Sequence, residues 1–136
     1  MQIVPYLSFD GQCEEAFKFY EQVLGGKIVA MIPHAGTPAE AHVPPEWKDR
    51  IMHARLQVHG AELMGGDSPP GTYEARKGMC ASLHIDDPAE AERIFHRLAE
   101  GASVQMPIQE TFWAHRFAML TDRFGTPWMI NCEKAS

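Results

Sequence analysis

The chain repeats itself. Leu83-His-Ile-Asp86 matches Leu7-Ser-Phe-Asp10. After a one-residue deletion, Glu90-Ala91 falls on Glu15-Ala16, Phe95 on Tyr20, Leu98 on Val23, Gly101 on Gly26, Val104 on Val29 and Met106 on Met31. Later, Ala118-Met-Leu120 matches Ala54-Arg-Leu56, and past an insertion Gly125 and Met129 match Gly60 and Met64. No low-complexity tract produces this match. Each half reads strand, helix, strand, strand, strand. Such a βαβββ unit cannot cover both faces of its own sheet, so two units must associate. The expectation is an α+β fold of two βαβββ modules, about 1–65 and 79–133, joined by a linker over 66–78 within one domain of 136 residues.

Local patterns place the elements. Ile3 to Phe9 is strand-like, and Glu14 to Leu24 is helical, with Ala16, Phe17, Tyr20, Val23 and Leu24 three and four apart. Gly25-Gly26 caps that helix. Lys27 to Ile32 reads as a strand. Pro33 to Arg50 carries four prolines and no clear period, the mark of a functional or mobile loop. Ile51 to Val58 alternates strictly, and His59-Gly60 turns the chain into Ala61 to Gly65. In the second half, Leu83 to Asp86 reads as a strand and Pro88 to Glu100 as a helix. Phe117 to Asp122 and Pro127 to Glu133 then form a hairpin about a Gly125 turn. Ahead of the hairpin, Glu110, Trp113, His115 and Arg116 crowd one short loop.

Composition excludes several classes. Apolar residues make up 45%, so a disordered chain is not expected. A net charge of -6 with both signs interspersed argues against nucleic acid and against an anionic membrane surface. No apolar run approaches the ~20 residues of a membrane span, and MQIVPYLSFDG lacks a leader's basic and apolar regions. Cys13, Cys80 and Cys132 are odd in number and unpatterned, which points to free thiols in a cytoplasmic setting.

Four stretches carry a family resemblance. They are Pro5-Tyr-Leu-Ser-Phe-Asp-Gly11 with Glu14-Glu15-Ala16-Phe17 and Phe19-Tyr20, then Leu63-Met64-Gly65 with Asp67. The third is Gln109-Glu-Thr-Phe-Trp113 with Arg116-Phe117, and the last is Thr121-Asp122, Phe124-Gly125 and Trp128-Met-Ile-Asn131. Together with the repeat, they resemble the vicinal oxygen chelate superfamily, and more narrowly its PhnB-like branch. That superfamily includes glyoxalase I, bleomycin- and fosfomycin-resistance proteins and extradiol dioxygenases. The resemblance implies curved mixed sheets around a ligand cavity, usually completed in a homodimer.

With Leu7, Phe9, Leu83 and Ile85 packed on the helices, strand parity assigns the opposite faces. Val4, Tyr6 and Ser8 line the cavity in one module, and Cys80, Ser82 and His84 in the other. By the same parity His53, Arg55, Gln57, Phe117, Met119 and Thr121 face inward. Met64, Met129 and Asn131 complete the set, with Glu62 near the rim. Glu110, Trp113 and Arg116 belong to the entrance. Arg116 either forks onto a ligand carboxylate or phosphate, or pairs internally with Glu110. Trp128 has helix-facing parity and belongs to the core.

The resemblance also implies where a metal would sit. Metal-dependent relatives take one ligand, usually His or Glu, from each of four strands. Here those positions hold Val4 or Pro5, Met64, Cys80 and Met129. A hard divalent ion needs oxygen or imidazole donors, so no metal and no other cofactor is expected. His84, His53, Arg55 and Glu62 are the only materials for a displaced site. Cys80 as a nucleophile would need His84 or His53 beside it; packing of a small thiol is the plainer reading. A methyl-donor nucleotide site, sometimes attributed to this branch, lacks its Gly-rich loop.

Two functions compete. One is a metal-free small-molecule-binding protein whose ligand is organic and bears an anionic or polar group. The other is a lyase or dioxygenase-type enzyme using a displaced metal, or acid/base chemistry through His84, Glu62 or Glu110.

Overall fold

The structure, a computed structural model, describes residues 1–134. It divides into two compact units, Met1–Glu74 and Ala75–Ser136. In the first unit β1 (Tyr6–Phe9) leads into α1 (Cys13–Leu24), then β2 (Lys27–Pro33), β3 (Ile51–Val58) and β4 (Ala61–Asp67). In the second, β5 (Ala81–His84) leads into α2 (Pro88–Leu98), β6 (Ser103–Gln109), β7 (Ala114–Thr121) and β8 (Pro127–Glu133). Each unit is the expected βαβββ module of an α+β fold. The sheet orders are β1-β4-β3-β2 and β5-β8-β7-β6. In each, the first strand runs parallel to the fourth and the other pairings are antiparallel.

The register of the two sheets matches the sequence repeat. Tyr6 pairs with Met64 and Met64 with Arg55. Ser82 pairs with Met129 and Met129 with Met119 in the other unit. Each helix covers one sheet face. The apolar stripe of α1 (Ala16, Phe17, Tyr20, Val23, Leu24) is buried with Leu7, Phe9, Ala54, Leu56 and Leu63. Ala91, Ile94, Phe95 and Leu98 of α2 are buried, as are Ala118, Leu120, Trp128 and Ile130 of the strands it packs on.

Two buried aspartates tie the local structure together. Gln12 offers no side-chain cap to α1. Instead Asp67, at the end of β4, accepts from the Gly11 and Cys13 amides at 3.0 and 2.9 Å and from the Ile51 amide at 2.8 Å. A carboxylate there satisfies orphan helix donors and meets the positive end of the helix dipole. In the second unit, Asp122 accepts from the amides of Phe124 and Thr126 and from Trp128 Nε1, closing the β7–β8 turn.

Several element boundaries differ from expectation. β1 starts at Tyr6, because Pro5 has no N–H to give the ladder, and Ile3 stands in solvent. Gly66 and Asp67 extend β4 rather than opening a linker. β5 covers Ala81–His84, so Cys80 lies outside it. β7 begins at Ala114, which leaves only 110–113 as loop. The Pro-rich stretch is ordered by two 3-10 turns, Pro38–His42 and Pro45–Trp47. Within it His34 is buried, with Nδ1 2.8 Å from the Arg50 carbonyl oxygen.

Candidate ligand-binding faces

On the first sheet, the face away from α1 carries Tyr6, Met64 and Arg55 in one cross-strand row, with Glu62 opposite Gln57 one step along. The Tyr6 ring stacks on His53 with centroids 6.0 Å apart and planes at 21°. Its hydroxyl donates to the Met52 carbonyl oxygen at 3.3 Å. Gly66 makes this crossing possible, since a Cβ there would stand 2.9 Å from the Tyr6 hydroxyl and 2.6 Å from that carbonyl. Partial burial, and secondarily the proximity of Cys13, pushes the Tyr6 phenol above its ordinary pKa. Glu62 sits between two partners. One oxygen accepts from Gln57 Nε2 at 3.3 Å, and the other lies 3.6 Å from Arg55 Nε. That contact is an ion pair without a hydrogen bond, and the buried Arg55 Nε has no hydrogen-bond partner among the described residues.

On the second sheet, the corresponding face carries Ser82, Met129, Met119 and Met106 in one row, and His84, Asn131 and Phe117 in the next. Ser82 Oγ and His84 Nε2 are 3.2 Å apart. Trp113 meets Phe117 edge-on with centroids 5.2 Å apart, and the exposed Phe112 packs on Trp113. Asn131 is 8% exposed. Its Nδ2 donates to Glu133 Oε1 at 2.9 Å, while its Oδ1 has no partner among the described residues. Beside the end of this sheet is a groove of about 280 Å³ lined by Met79, Cys80, Met119 and Trp128, among others.

The structure thus brings Tyr6, His53, Arg55, Glu62 and Met64 together in one unit, and Ser82, His84, Trp113, Phe117, Met129 and Asn131 in the other. It does not gather the rest as expected. Arg116 shares the helix-facing parity of Ala118 and Leu120, and its Nε bonds Glu92 of α2 at 2.9 Å. The pair with Glu110, one of the two alternatives for Arg116, is not formed, because strand β7 begins before Arg116 and turns it toward the helix. Glu110 instead lies 3.2 Å from Lys134 Nζ. Cys80 is exposed in the connection ahead of β5 and is not a packed thiol. Glu133 and Met106 were not anticipated. Glu133 was legible as the residue two along from Asn131 on the same strand face.

The model of the Glyoxalase/Bleomycin resistance protein/Dioxygenase superfamily matches residues 2–130. The chain belongs to this superfamily. Protein YjdN of Escherichia coli K12 is 35% identical over 142 residues, spanning 98% of this chain and 97% of its own. The crystal structure of protein PA1353 from Pseudomonas aeruginosa shares 54% identity and superposes with a TM-score of 0.90, covering 99% of each chain. A PhnB protein from Bacillus cereus, 24% identical over 96% of this chain and 98% of its own, shares the fold at a TM-score of 0.81.

The superfamily's metal-dependent members raise the question of a metal centre here. The donor chemistry does not fit one. Met64 and Met129 offer thioethers where a hard ion needs carboxylates, and Val4 and Pro5 offer no side-chain donor. Among the described residues no three His, Cys, Asp or Glu side chains are grouped closely enough to share an ion.

Proposed function

We propose that the protein binds a small organic molecule bearing an anionic or polar group, on sheet faces turned away from its helices and without the superfamily's metal. One observation carries this reading. Arg55 holds a buried Nε that makes no hydrogen bond, and its only acidic neighbour among the described residues stands at 3.6 Å, shared with Gln57. A guanidinium that is part-exposed, with its Nε shut off from water and held so loosely, gains from a second acceptor, and a carboxylate or phosphonate supplies one bidentately. Tyr6, His53 and Met64 beside it provide aromatic and polarisable walls of the kind small-ligand sites use. No helix among the described residues is long and apolar enough to cross a membrane. With three free cysteines, a cytoplasmic location accords with the reading.

The test is a thermal-shift screen of small carboxylates and phosphonates on the wild type and on Arg55→Met. Ligand stabilisation grows with concentration over dissociation constant. A compound that raises the wild-type melting temperature and not that of the variant is the expected result. Equal shifts in both proteins, or none across the screen, would refute the proposal.

A further inference from the structure

We infer that the second sheet holds a subsite for a ligand group carrying two adjacent N–H donors, an amidine or a primary amide, on an aromatic or apolar body. This rests on the reading that these faces hold a ligand, and it assigns the second face a chemistry opposite to that of Arg55.

Asn131 carries the argument. Glu133 can only accept when ionised, so the 2.9 Å contact between them fixes which end of the amide is the nitrogen. The orientation leaves Oδ1 as a buried acceptor with no donor among the described residues. A buried carbonyl in that condition costs free energy, and native structures seldom keep one without a reason. A leucine, branched at the same carbon and without a polar atom, would avoid the cost.

The alternation of β8 places Asn131 on the face away from α2, since Ile130 and Cys132 on either side of it are buried with that helix's strands. Its neighbours across the sheet are His84 and Phe117. None of them gives Oδ1 a proton. His84 uses Nε2 toward Ser82. Glu133 lies on the same face and makes no salt bridge among the described residues, while the adjacent Lys134 is taken by Glu110.

Asn131 Oδ1 and the Glu133 carboxylate therefore form a pair of acceptors held together by the bond between their own side chains. A group with two N–H donors in one plane matches such a pair, and a positive charge on it would gain further from Glu133. Phe117, Met119 and Met129 supply the wall for the body of the ligand. Thioethers beside a ring favour an aromatic occupant.

Benzoate, benzamide and benzamidinium share one ring and differ only in their donors, so calorimetric titration with the three reads the subsite directly. Wild type should bind benzamide, and benzamidinium more tightly. Asn131→Leu should weaken both by about tenfold or more, the usual effect of losing a buried hydrogen bond. Its urea midpoint should stay level or rise, because an orphan acceptor has been removed. Glu133→Gln keeps Asn131 in place and should weaken benzamidinium while sparing benzamide, which preserves the test if the leucine variant does not fold. Unchanged binding in Asn131→Leu with a lowered urea midpoint would mean a hydrated structural asparagine and would overturn the inference. Benzoate binding lost in Arg55→Met, with neither amide nor amidinium bound, would overturn it and leave the proposed function standing. No binding of any of the three would overturn the inference, and the wider screen of carboxylates and phosphonates would then decide the proposed function separately.

Discussion

Cys13 opens α1 with its thiol fully buried, and its chemistry follows from what surrounds it. Burial first, then the carboxylates of Asp67 and Glu14, pushes its pKa well above the ordinary thiol value. The neighbouring Glu14 was legible as a reason for a reluctant thiolate. The burial and Asp67, far away in sequence, were not. A raised folded-state pKa gives stability that is complete below the unfolded pKa and declines above it. Above about pH 8.5 the unfolded chain releases this proton and the folded chain keeps it. Stability should therefore fall by up to about 1.4 kcal/mol for each further pH unit from this group alone. Urea midpoints at pH 8 and pH 10 should separate clearly in wild type and much less in Cys13→Ala, taking those pH values as roughly bracketing the unfolded thiol. Equal separation in both proteins would mean that another group governs the slope. Arg116 makes the complementary point. Its residue type was right for an anion, but one step of strand parity sent it to Glu92 instead of a ligand.

At the scale of elements, the joint between α1 and its sheet depends on Gly65. A Cβ there would lie 2.7 Å from the Leu7 carbonyl oxygen and 2.9 Å from the Phe17 ring. Neither can move freely, since one is ladder backbone and the other is core. Gly65→Ala should push α1 off β4 and destabilise the fold by about 2 kcal/mol or more, as overpacking does. Chemical denaturation would measure it, and a loss below about 0.5 kcal/mol, the range of neutral surface changes, would mean the helix adapts. Helices and hairpin turns were legible because their signals are local. Asp87 and Pro88 announce α2, and His59-Gly60 adopts positive φ at both positions, as a two-residue hairpin turn requires. Strand ends were less legible, because a strand stops where its partner stops. The first pairing of β1 is set by β4, distant in sequence, and the Pro-rich stretch takes its shape from bonds such as His34 to Arg50.

For the whole molecule, each four-stranded sheet leaves two edge strands without a neighbour among the described residues. Ile3, Val29, Ile32 and Phe112 stand exposed in the single chain. Open edges and exposed apolar groups invite association, and closed symmetric dimers are its commonest form. Sedimentation at micromolar concentration should give twice the 15.2 kDa chain mass. A single species at the chain mass would count against a homodimer. By itself, the sequence determined the duplicated βαβββ architecture and the strand face of candidates such as Arg55, Met64 and Met129, though not that of Cys80, which lies outside β5. Both are written in local periodicity and in a repeat that aligns residue by residue, as Arg55 with Met119 and Met64 with Met129. Only the tertiary structure decided which of those candidates are still short of a partner. Hydrogen bonds between residues distant in sequence depend on side-chain reach and register, so no local pattern predicts them. That is why Arg116 turned out to be satisfied by Glu92, Glu62 to be shared between Gln57 and Arg55, and Asn131 Oδ1 to be left buried without a donor among the described residues.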